Sequence, residues 1–346
     1  MSANLFKIIN VFVPLICAIV TLLLCLFANP IARRLKLLDI PGGRKSHKHP
    51  TPLMGGVSLL LGFYPWIAVW AIANPSVAPL VLPIVLCAAA LTILGLIDDR
   101  VHLSAIFRLG FCIAAIMITI WFTPEISVRH IDWNYGSGGV ALPTAAGLCM
   151  GVLSVVALIQ AANLADGKNG LLIGLSLVWI YFLRAELSPE LAFVLLSLSG
   201  LLAVLLTFNL AGRLFLGDGG SYGIATFIGL MALLAAEAPA TRASSDQIAL
   251  IFLLPVVDMA RLMIVRASRG QSPFAGDRDH LHHHLLTAFG WPGGLTVYLM
   301  MAAMPSFLAS AAPRWTLFII AGTIAVYFCV IVFLDRVKLI NPSAKR

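Results

Sequence analysis

Acidic side chains stand next to each other where one of the longest apolar runs of the chain ends. Asp98 and Asp99 directly follow the run that closes with LGLI. A carboxylate inside a bilayer costs about 2.5–3.5 kcal/mol on insertion scales, so this pair is expected where a membrane helix meets water. Adjacent carboxylates can accept a proton or ligate a hard cation such as Mg²⁺. Solvated loop aspartates are the alternative.

Amide and carboxyl groups share a second short segment, NLADGKNG. It places Asn163, Asp166 and Asn169 in a few residues between two apolar runs. Gly167 and Gly170 let the backbone turn sharply there, which keeps these polar groups near the level of the headgroups. An ordinary Asn/Asp/Gly turn between two helices is equally compatible with this pattern.

A third segment, FNLAGRLFLGDGGS, contains an aspartate among glycines. Asn209 ends an apolar run, Asp218 follows Gly217, and Ser221 is expected to open the next helix. The free amides and the dipole at a helix N-terminus favour anions, so Asp218 beside this helix start is interpreted as a diphosphate and metal site. The alternative is an N-capping turn with a solvated Asp218.

A run of histidines marks the fourth segment, SPFAGDRDHLHHHLL. On a helix, His280, His283 and His284 would share one face, and His282 would point elsewhere. Imidazoles bind phosphate oxygens or carry protons near neutral pH, and Arg278 can grip a phosphate with its guanidinium fork. A zinc site and a structural polar helix are the alternatives, although the HExxH spacing is absent.

The composition defines the class of protein to which these segments belong. Of 346 residues, 60% are hydrophobic and only 11% are charged, with a mean hydropathy of +0.97. Soluble domains carry about 25% charged residues, so this is an integral membrane protein. The net charge of +8 suits anionic headgroups or substrates. No soluble basic domain is present, which argues against nucleic acid as a partner. The six cysteines lie in apolar runs and are interpreted as buried hydrophobes.

Apolar runs predict an all-α, polytopic protein with about eleven transmembrane helices. A helix needs about 20 apolar residues to cross a bilayer. Most of the 23 Lys and Arg residues fall on one side, which the positive-inside rule makes cytoplasmic, with the N-terminus outside and the C-terminus cytoplasmic. The predicted spans are 5–28, 56–73, 77–97, 105–122, 142–162, 170–184, 190–210, 221–236, 246–264, 295–312 and 315–334.

All the polar segments fall on this predicted cytoplasmic side of a single domain, residues 1–346. The predicted active-site loops are 33–55, 98–104, 163–170, 211–221 and 266–294. The first loop carries Lys45 among other basic residues, as a lipid anchor or as the lining of a phosphate site. A transporter of an anionic metabolite would place ionisable groups near the midplane, whereas these span interiors are nearly free of charge. The pattern favours chemistry at the interface, on a substrate with an anionic end and an apolar end. A metal-binding scaffold is a further alternative.

Five ordered motifs resemble those of the polyprenyl-phosphate N-acetylhexosamine-1-phosphate transferases. They are RKSHKHPTPLMGG, GLIDD, NLADGKNGLLIG, FNLAGRLFLGDGGS and SPFAGDRDHLHHHL. The resemblance implies transfer of a sugar 1-phosphate from a UDP-amino sugar to undecaprenyl phosphate, with release of UMP. It further implies Mg²⁺, with Mn²⁺ as the alternative ion, and a multi-pass protein of the bacterial inner membrane that starts a lipid-linked glycan such as the O-antigen of lipopolysaccharide. A homodimer is left open.

The resemblance also implies roles for individual residues. Asp98 and Asp99 match the family's aspartate pair, one of which is proposed to deprotonate or orient the lipid phosphate, and Asp166 is grouped with them as catalytic. Asp218 matches the metal-binding aspartate. The residues implied in substrate binding are Lys45, Asn163, Asn169, Asn209, Phe215, Arg278, His280, His282, His283 and His284. Of these, Phe215 matches an aromatic residue that stacks on uracil, and His280, His282 and His283 match the motif that contacts the diphosphate.

Two positions depart from the family pattern. Asn169 stands where a second aspartate of the D-G-x-D-G loop is usual, so a proton-transfer or metal role at that position is in doubt. Val101 and His102 follow Arg100, so the third acid of a DDxxD pattern is missing.

Overall fold

The structure, a computed structural model, describes residues 3–41, 49–237, 244–272 and 279–340. In these ranges the chain is mostly helical and forms two compact units. The first contains residues 1–129 and 143–241, and the second contains residues 130–142 and 242–346. The prediction of a single domain stays a prediction.

The first unit consists of ten helices and one short hairpin. Its helices form from the apolar runs, and some begin at a side-chain cap, as where Ser104 Oγ accepts from the amide of Phe107. The elements are α1 (Ala3–Leu26), α2 (Ala28–Leu35), β1 (Leu38–Asp39), β2 (Thr51–Pro52), α3 (Gly55–Gly62), α4 (Tyr64–Ile72), α5 (Ala78–Val101), α6 (Ala105–Phe122), α7 (Thr144–Ala165), α8 (Leu171–Leu183), α9 (Pro189–Leu210) and α10 (Gly217–Glu237).

The second unit combines a hairpin with four helices. Its strands are antiparallel, with His130 opposite Ala141 and Trp133 opposite Gly138. Helix α11 begins with a capping box formed by Ser244 and Gln247. The elements are β3 (His130–Trp133), β4 (Gly138–Ala141), α11 (Ser245–Ser268), α12 (Leu281–Phe289), α13 (Gly293–Ala311) and α14 (Thr316–Ile340).

Helix lengths are those of a polytopic membrane protein. Among the described residues, nine helices are long and apolar enough to cross a bilayer, or ten if the pair 12–26 and 28–35, bent by 76°, is one span. The predicted span 170–184 forms α8, but its 13 residues reach only about 20 Å at 1.5 Å per residue, short of a hydrocarbon core of about 30 Å. The count of eleven and the orientation of the termini stay predictions. Large apolar side chains such as Ile106 and Phe122 are exposed, as expected on a surface that faces lipid.

The all-α prediction missed two small hairpins. Beyond β3 and β4, the strand β1 pairs with β2, with Leu38 opposite Pro52. Leu53 then forms a bridge to Phe215, which fastens this hairpin to the segment just before α10. Strands of two residues carry too little period-two alternation to be recognised in a sequence. The hairpin matters because it positions the entry to α10.

Helix α10 is the central element of the first unit, almost entirely buried and packed against α3, α5, α7 and α8. Glycines allow its N-terminal end to approach both α5 and α3 closely. A Cβ atom at Gly95 would lie 2.5 Å from the amide nitrogen of Gly219, and one at Gly55 would lie 2.9 Å from the Cα of Gly220. Backbone therefore packs on backbone here, at a separation that larger side chains forbid.

The substitution Gly95→Ala tests this contact. The added methyl group meets backbone atoms that cannot rotate away, so overpacking should cost about 1–3 kcal/mol and separate α5 from α10. We expect a clear fall in the unfolding temperature of the detergent-purified protein. Gly110→Ala is the matched control, because Gly110 lies in α6 with nothing within 4 Å of the added atom. Equal unfolding temperatures for the two variants would contradict the close contact.

Candidate active site

The two aspartates of the predicted pair contact different helices: Asp99 contacts α10 and Asp98 contacts α6. Asp99 Oδ1 accepts from the amide of Asp218 at 2.9 Å, and Asp99 Oδ2 accepts from the amide of Gly219 at 3.1 Å. Asp99 therefore caps the N-terminus of α10 from α5, where a carboxylate is favoured by the helix dipole. Gly217 has a φ of +71° and packs directly on this carboxylate. Glycine takes that left-handed conformation without steric cost.

This contact corrects two expectations about the third segment. Helix α10 begins at Gly217, four residues before Ser221, so Ser221 does not open it. Two of the amides expected to attract a ligand anion are occupied by Asp99 instead. The physical reason is that a carboxylate from a neighbouring helix satisfies these groups inside the protein.

Asp98 is almost completely buried and is held by an arginine. Its side chain is 4% exposed, Oδ1 accepts from the amide of Leu103 at 2.6 Å, and Oδ2 forms an ion pair with Arg108 Nη1. Both oxygens thus have partners. The guanidinium group of Arg108 also lies 3.6 Å from Asp218 Oδ2, so one cation faces carboxylates from two helices.

Asp218 keeps part of its carboxylate exposed. Its side chain is 32% exposed, and Oδ1 accepts from Asn163 Nδ2 at 2.7 Å. The same amide nitrogen lies 3.0 Å from Ser221 Oγ. Asn163, in the last turn of α7, therefore orients Asp218 and leaves the second carboxylate oxygen beside Arg108 and solvent.

Asp166 belongs to the same acidic group. It ends α7, and desolvation raises its pKa well above the usual value, with a further increase from the negative charges of Asp218 and Asp99. Mutual repulsion among carboxylates is relieved by a bound cation. Carboxylate oxygens such as those of Asp166 and Asp218 are the hard ligands that Mg²⁺ prefers.

Asn209 joins the two loops that carry these acids. Its Oδ1 accepts from the amide of Gly170 at 2.6 Å, and its Nδ2 donates to the carbonyl of Leu214 at 3.0 Å. The side chain is 3% exposed and both ends of its amide have partners within the protein. The structure thus assigns it to positioning, and contact with a substrate stays a prediction.

Phe215 and Asn169 lie beside these loops. Phe215 donates its amide to the carbonyl of Pro52 at 2.9 Å and accepts from the amide of Met54 at 2.9 Å, so its backbone is fixed while its ring is half-buried. Asn169 is half-buried, and its Nδ2 lies near Gly212. Their predicted substrate contacts stay predictions.

In the second unit the histidines do not share a helix face as expected. Helix α12 begins at Leu281, and His280 precedes it in an extended conformation, with φ −69° and ψ 148°. The rings of His280 and His282 consequently stack, with centroids 5.5 Å apart and planes 9° apart. The ring of His283 lies 4.3 Å from that of His282. We call these three residues the histidine row.

His284 has different neighbours from the histidine row. Its Nε2 lies 2.8 Å from Asp279 Oδ1, and its Nδ1 lies 3.1 Å from Asp335 Oδ1. The ring is 1% exposed, which indicates that it fastens the start of α12 to α14. The hydrogen bond from His284, together with Arg261, holds the pKa of Asp279 well below its usual range. These three side chains lie close enough together to hold a metal ion as well.

Two site residues escaped the sequence analysis. Arg108 binds Asp98, and Asp258 in α11 accepts from His280 Nδ1 at 3.0 Å. Both are charged residues inside apolar helices, which is by itself a signal of function. The expectation that span interiors are nearly free of charge was too broad, since Asp258 and Arg261 both lie in α11. Lys45 and Arg278 lie outside the described residues.

The candidate residues thus form two groups, an acidic cluster in the first unit and a histidine row in the second. The acidic cluster is the set Asp98, Asp99, Asp166 and Asp218, with Asn163 and Arg108. In this cluster the carboxylate of Asp218 is partly exposed, and a carboxylate oxygen is a ligand that a divalent cation prefers. The histidine row can bind phosphate oxygens.

Comparison with known proteins finds one family model and several transferases with similar names. The model of glycosyl transferase family 4 matches residues 81–236. The undecaprenyl-phosphate alpha-N-acetylglucosaminyl 1-phosphate transferase of Escherichia coli strain K12 is 31% identical over 280 residues, which cover 78% of this chain and 74% of that protein. The protein of the same name from Yersinia pestis is 30% identical, over 75% of this chain and 72% of its own. A probable undecaprenyl-phosphate N-acetylglucosaminyl 1-phosphate transferase of Bacillus subtilis is 28% identical, over 94% and 93%.

The pairing of Asp98 with Arg108 can be tested by a double-mutant cycle. Arg108→Gln leaves a buried carboxylate without its cation, which should cost about 3–5 kcal/mol and lower the unfolding temperature. Adding Asp98→Asn removes that charge, so the double variant should recover much of the loss. Arg100→Gln, at an exposed position near the same end of α5, serves as the control. Losses that simply add in the double variant would show that the two side chains do not interact.

Proposed function

This chain belongs to glycosyl transferase family 4, and we propose that it transfers N-acetylhexosamine 1-phosphate from a UDP-amino sugar to undecaprenyl phosphate. An oxygen of the lipid phosphate attacks the β-phosphorus of the donor. The bond between the two phosphates of the donor breaks, and UMP leaves. The product is an undecaprenyl diphosphate sugar on which a cell-surface glycan can be built. The relatives are named as N-acetylglucosaminyl 1-phosphate transferases that act on undecaprenyl phosphate, which supports the transferred group and the acceptor.

One observation supports the proposal above the others: the acidic cluster comes together from separate parts of the chain. Asp98 and Asp99 in α5, Asn163 in α7 and Asp218 in α10 are joined by direct hydrogen bonds or by Arg108. Transfer between two anionic phosphates needs positioning and charge stabilisation more than covalent chemistry. A carboxylate cluster that can hold a divalent cation meets this need.

The donor atoms of the cluster fit Mg²⁺, with Mn²⁺ as the alternative ion. Asp218 presents an exposed carboxylate oxygen, and Asp166 supplies a second carboxylate, whereas the oxygens of Asp98 and Asp99 have partners within the protein. Mg²⁺ often takes one or two carboxylates and completes its shell with substrate phosphates and water. When bound, it would neutralise charge on the diphosphate. Asp218 and Asp166 are therefore the proposed ligands.

Asp98 and Asp99 serve mainly to position the cluster in this proposal. Phosphate monoesters have a second pKa of about 6, so the lipid phosphate is largely dianionic at neutral pH without a strong base. Asp98 is paired with Arg108, and Asp99 holds the N-terminus of α10. The role in proton transfer that the sequence predicts for this pair stays a prediction, and the positioning role is the simpler of the two.

The histidine row would bind phosphate oxygens of the donor. His280, His282 and His283 have adjacent rings, and His284 is engaged by Asp279 and Asp335. Imidazolium groups donate strong hydrogen bonds to phosphate.

We place the enzyme in the bacterial inner membrane with the site on the cytoplasmic face, where UDP-sugars are made.

The substitution Asp218→Asn should abolish transfer. It keeps the shape of the side chain but removes the charge that a divalent cation requires. The assay measures labelled lipid product and UMP from purified protein with UDP-N-acetylglucosamine, undecaprenyl phosphate and Mg²⁺. Chelation of the metal should stop the wild-type reaction as well. Asp132→Asn, on the exposed hairpin strand β3, is the control and should remain active. Normal UMP release by Asp218→Asn would refute the proposed metal ligand.

Substitution of two neighbouring histidines should affect different properties, substrate binding for His283 and stability for His284. His283→Ala removes a member of the histidine row and should raise the KM for the UDP-sugar, because a phosphate contact is lost. His284→Ala breaks the contacts with Asp279 and Asp335 and should chiefly lower the unfolding temperature. Steady-state kinetics and thermal unfolding of both variants separate the two roles. An unchanged KM in His283→Ala would count against its phosphate contact.

A further inference from the structure

Asp258 is a buried carboxylate in the middle of an apolar stretch of α11, and it is 4% exposed. Removing such a charge from water costs several kcal/mol unless partners compensate for it. Four groups approach its two oxygens: His280 Nδ1 at 3.0 Å, the amide of Leu281 at 3.1 Å, the hydroxyl of Tyr327 at 2.6 Å and Arg261 Nη2 at 3.4 Å. The carboxylate is thus the centre of a polar network inside the second unit.

We propose that Asp258 is a positioning residue that fixes His280 for contact with the diphosphate of the donor. An ionised carboxylate only accepts hydrogen bonds, so Nδ1 of His280 must carry a proton. Nε2 is then the ring nitrogen left for a ligand, and it must carry a proton as well in order to donate to a phosphate oxygen. This inference rests on the proposed function, since that function supplies the ligand.

The same carboxylate sets the start of α12. By accepting from the amide of Leu281, it satisfies one of the free donors at this helix N-terminus and holds His280 in the extended conformation that precedes it. That conformation puts the rings of His280 and His282 parallel. Asp258 therefore orders the histidine row as well as one member of it.

Two further side chains hold the carboxylate in place. Arg261 Nε donates to the hydroxyl of Tyr327 at 2.6 Å, and that hydroxyl donates to Asp258 Oδ1. Arg261 Nη1 also reaches Asp279 Oδ2 at 3.2 Å. The network spans α11, α14 and the residues before α12, so the position of His280 is determined from three sides.

A double-mutant cycle on activity distinguishes positioning from general stability. Asp258→Asn places an amide group against Nδ1 and no longer favours a proton there, which disfavours the doubly protonated ring that a phosphate contact needs. We expect kcat/KM to fall about 10- to 100-fold, as for residues that orient a metal-binding histidine. If Asp258 acts through His280, the variant Asp258→Asn/His280→Ala should be no less active than His280→Ala alone. Asp246→Asn, a buried carboxylate in the first turn of the same helix, is the matched control and should stay active.

Losses that multiply in the double variant, or wild-type activity in Asp258→Asn, would overturn the inference. A second measurement does not depend on turnover. NMR of the full-length protein with ¹⁵N-labelled histidine should show a signal from His280 protonated at Nδ1, assigned by its loss in His280→Ala, and Asp258→Asn should abolish that signal. An unaltered spectrum would also overturn the inference. A wild-type protein that forms no lipid product but shows the Nδ1 signal would refute the proposed function and leave the Asp258–His280 pair standing.

Discussion

The close contact between α5 and α10 is the constraint on which the acidic cluster depends. Gly95 and Gly219 bring two backbones together with no side chain between them. At this separation Asp99 reaches the amides of Asp218 and Gly219. Apolar helices in a membrane gain little from the hydrophobic effect against each other, so close packing of small residues is what holds them. The same contact therefore supplies both stability and the geometry of the site.

Burial of charge follows from this arrangement. Asp98, Asp99, Asp166 and Asp218 bring four carboxylates together, and Arg108 is the cation that contacts two of them. In the second unit, the buried carboxylate of Asp258 is contacted by Arg261, His280 and the hydroxyl of Tyr327. Both networks place ionisable groups in or at the ends of apolar helices, where each group is costly without its partners. This cost of burying ionisable side chains is consistent with side chains that are needed for function.

The positions of the helices could largely be read from the sequence, and the contacts between them could not. The run 105–122 became α6 with the same bounds, because a long apolar run has few alternatives in a membrane. The start of α10 and the conformation of His280 were wrong in the prediction, since each is set by a carboxylate from another helix, Asp99 and Asp258. The grouping of Asp98, Asp99 and Asp218 was expected from their motifs. Arg108 was not expected, because pairing across helices leaves no period in the sequence.

Asn209 has a consequence for motion. One buried side chain bonds the loop that ends at Gly170 and the loop that contains Leu214. If either loop opened alone, Asn209 would lose one of its two hydrogen bonds while its side chain stayed buried. A buried polar group without a partner costs about 1–3 kcal/mol of stability. The two loops should consequently move together. A ligand that grips one of them would then restrict the other, and substitutions in the two loops should show epistasis although the loops are distant in the chain.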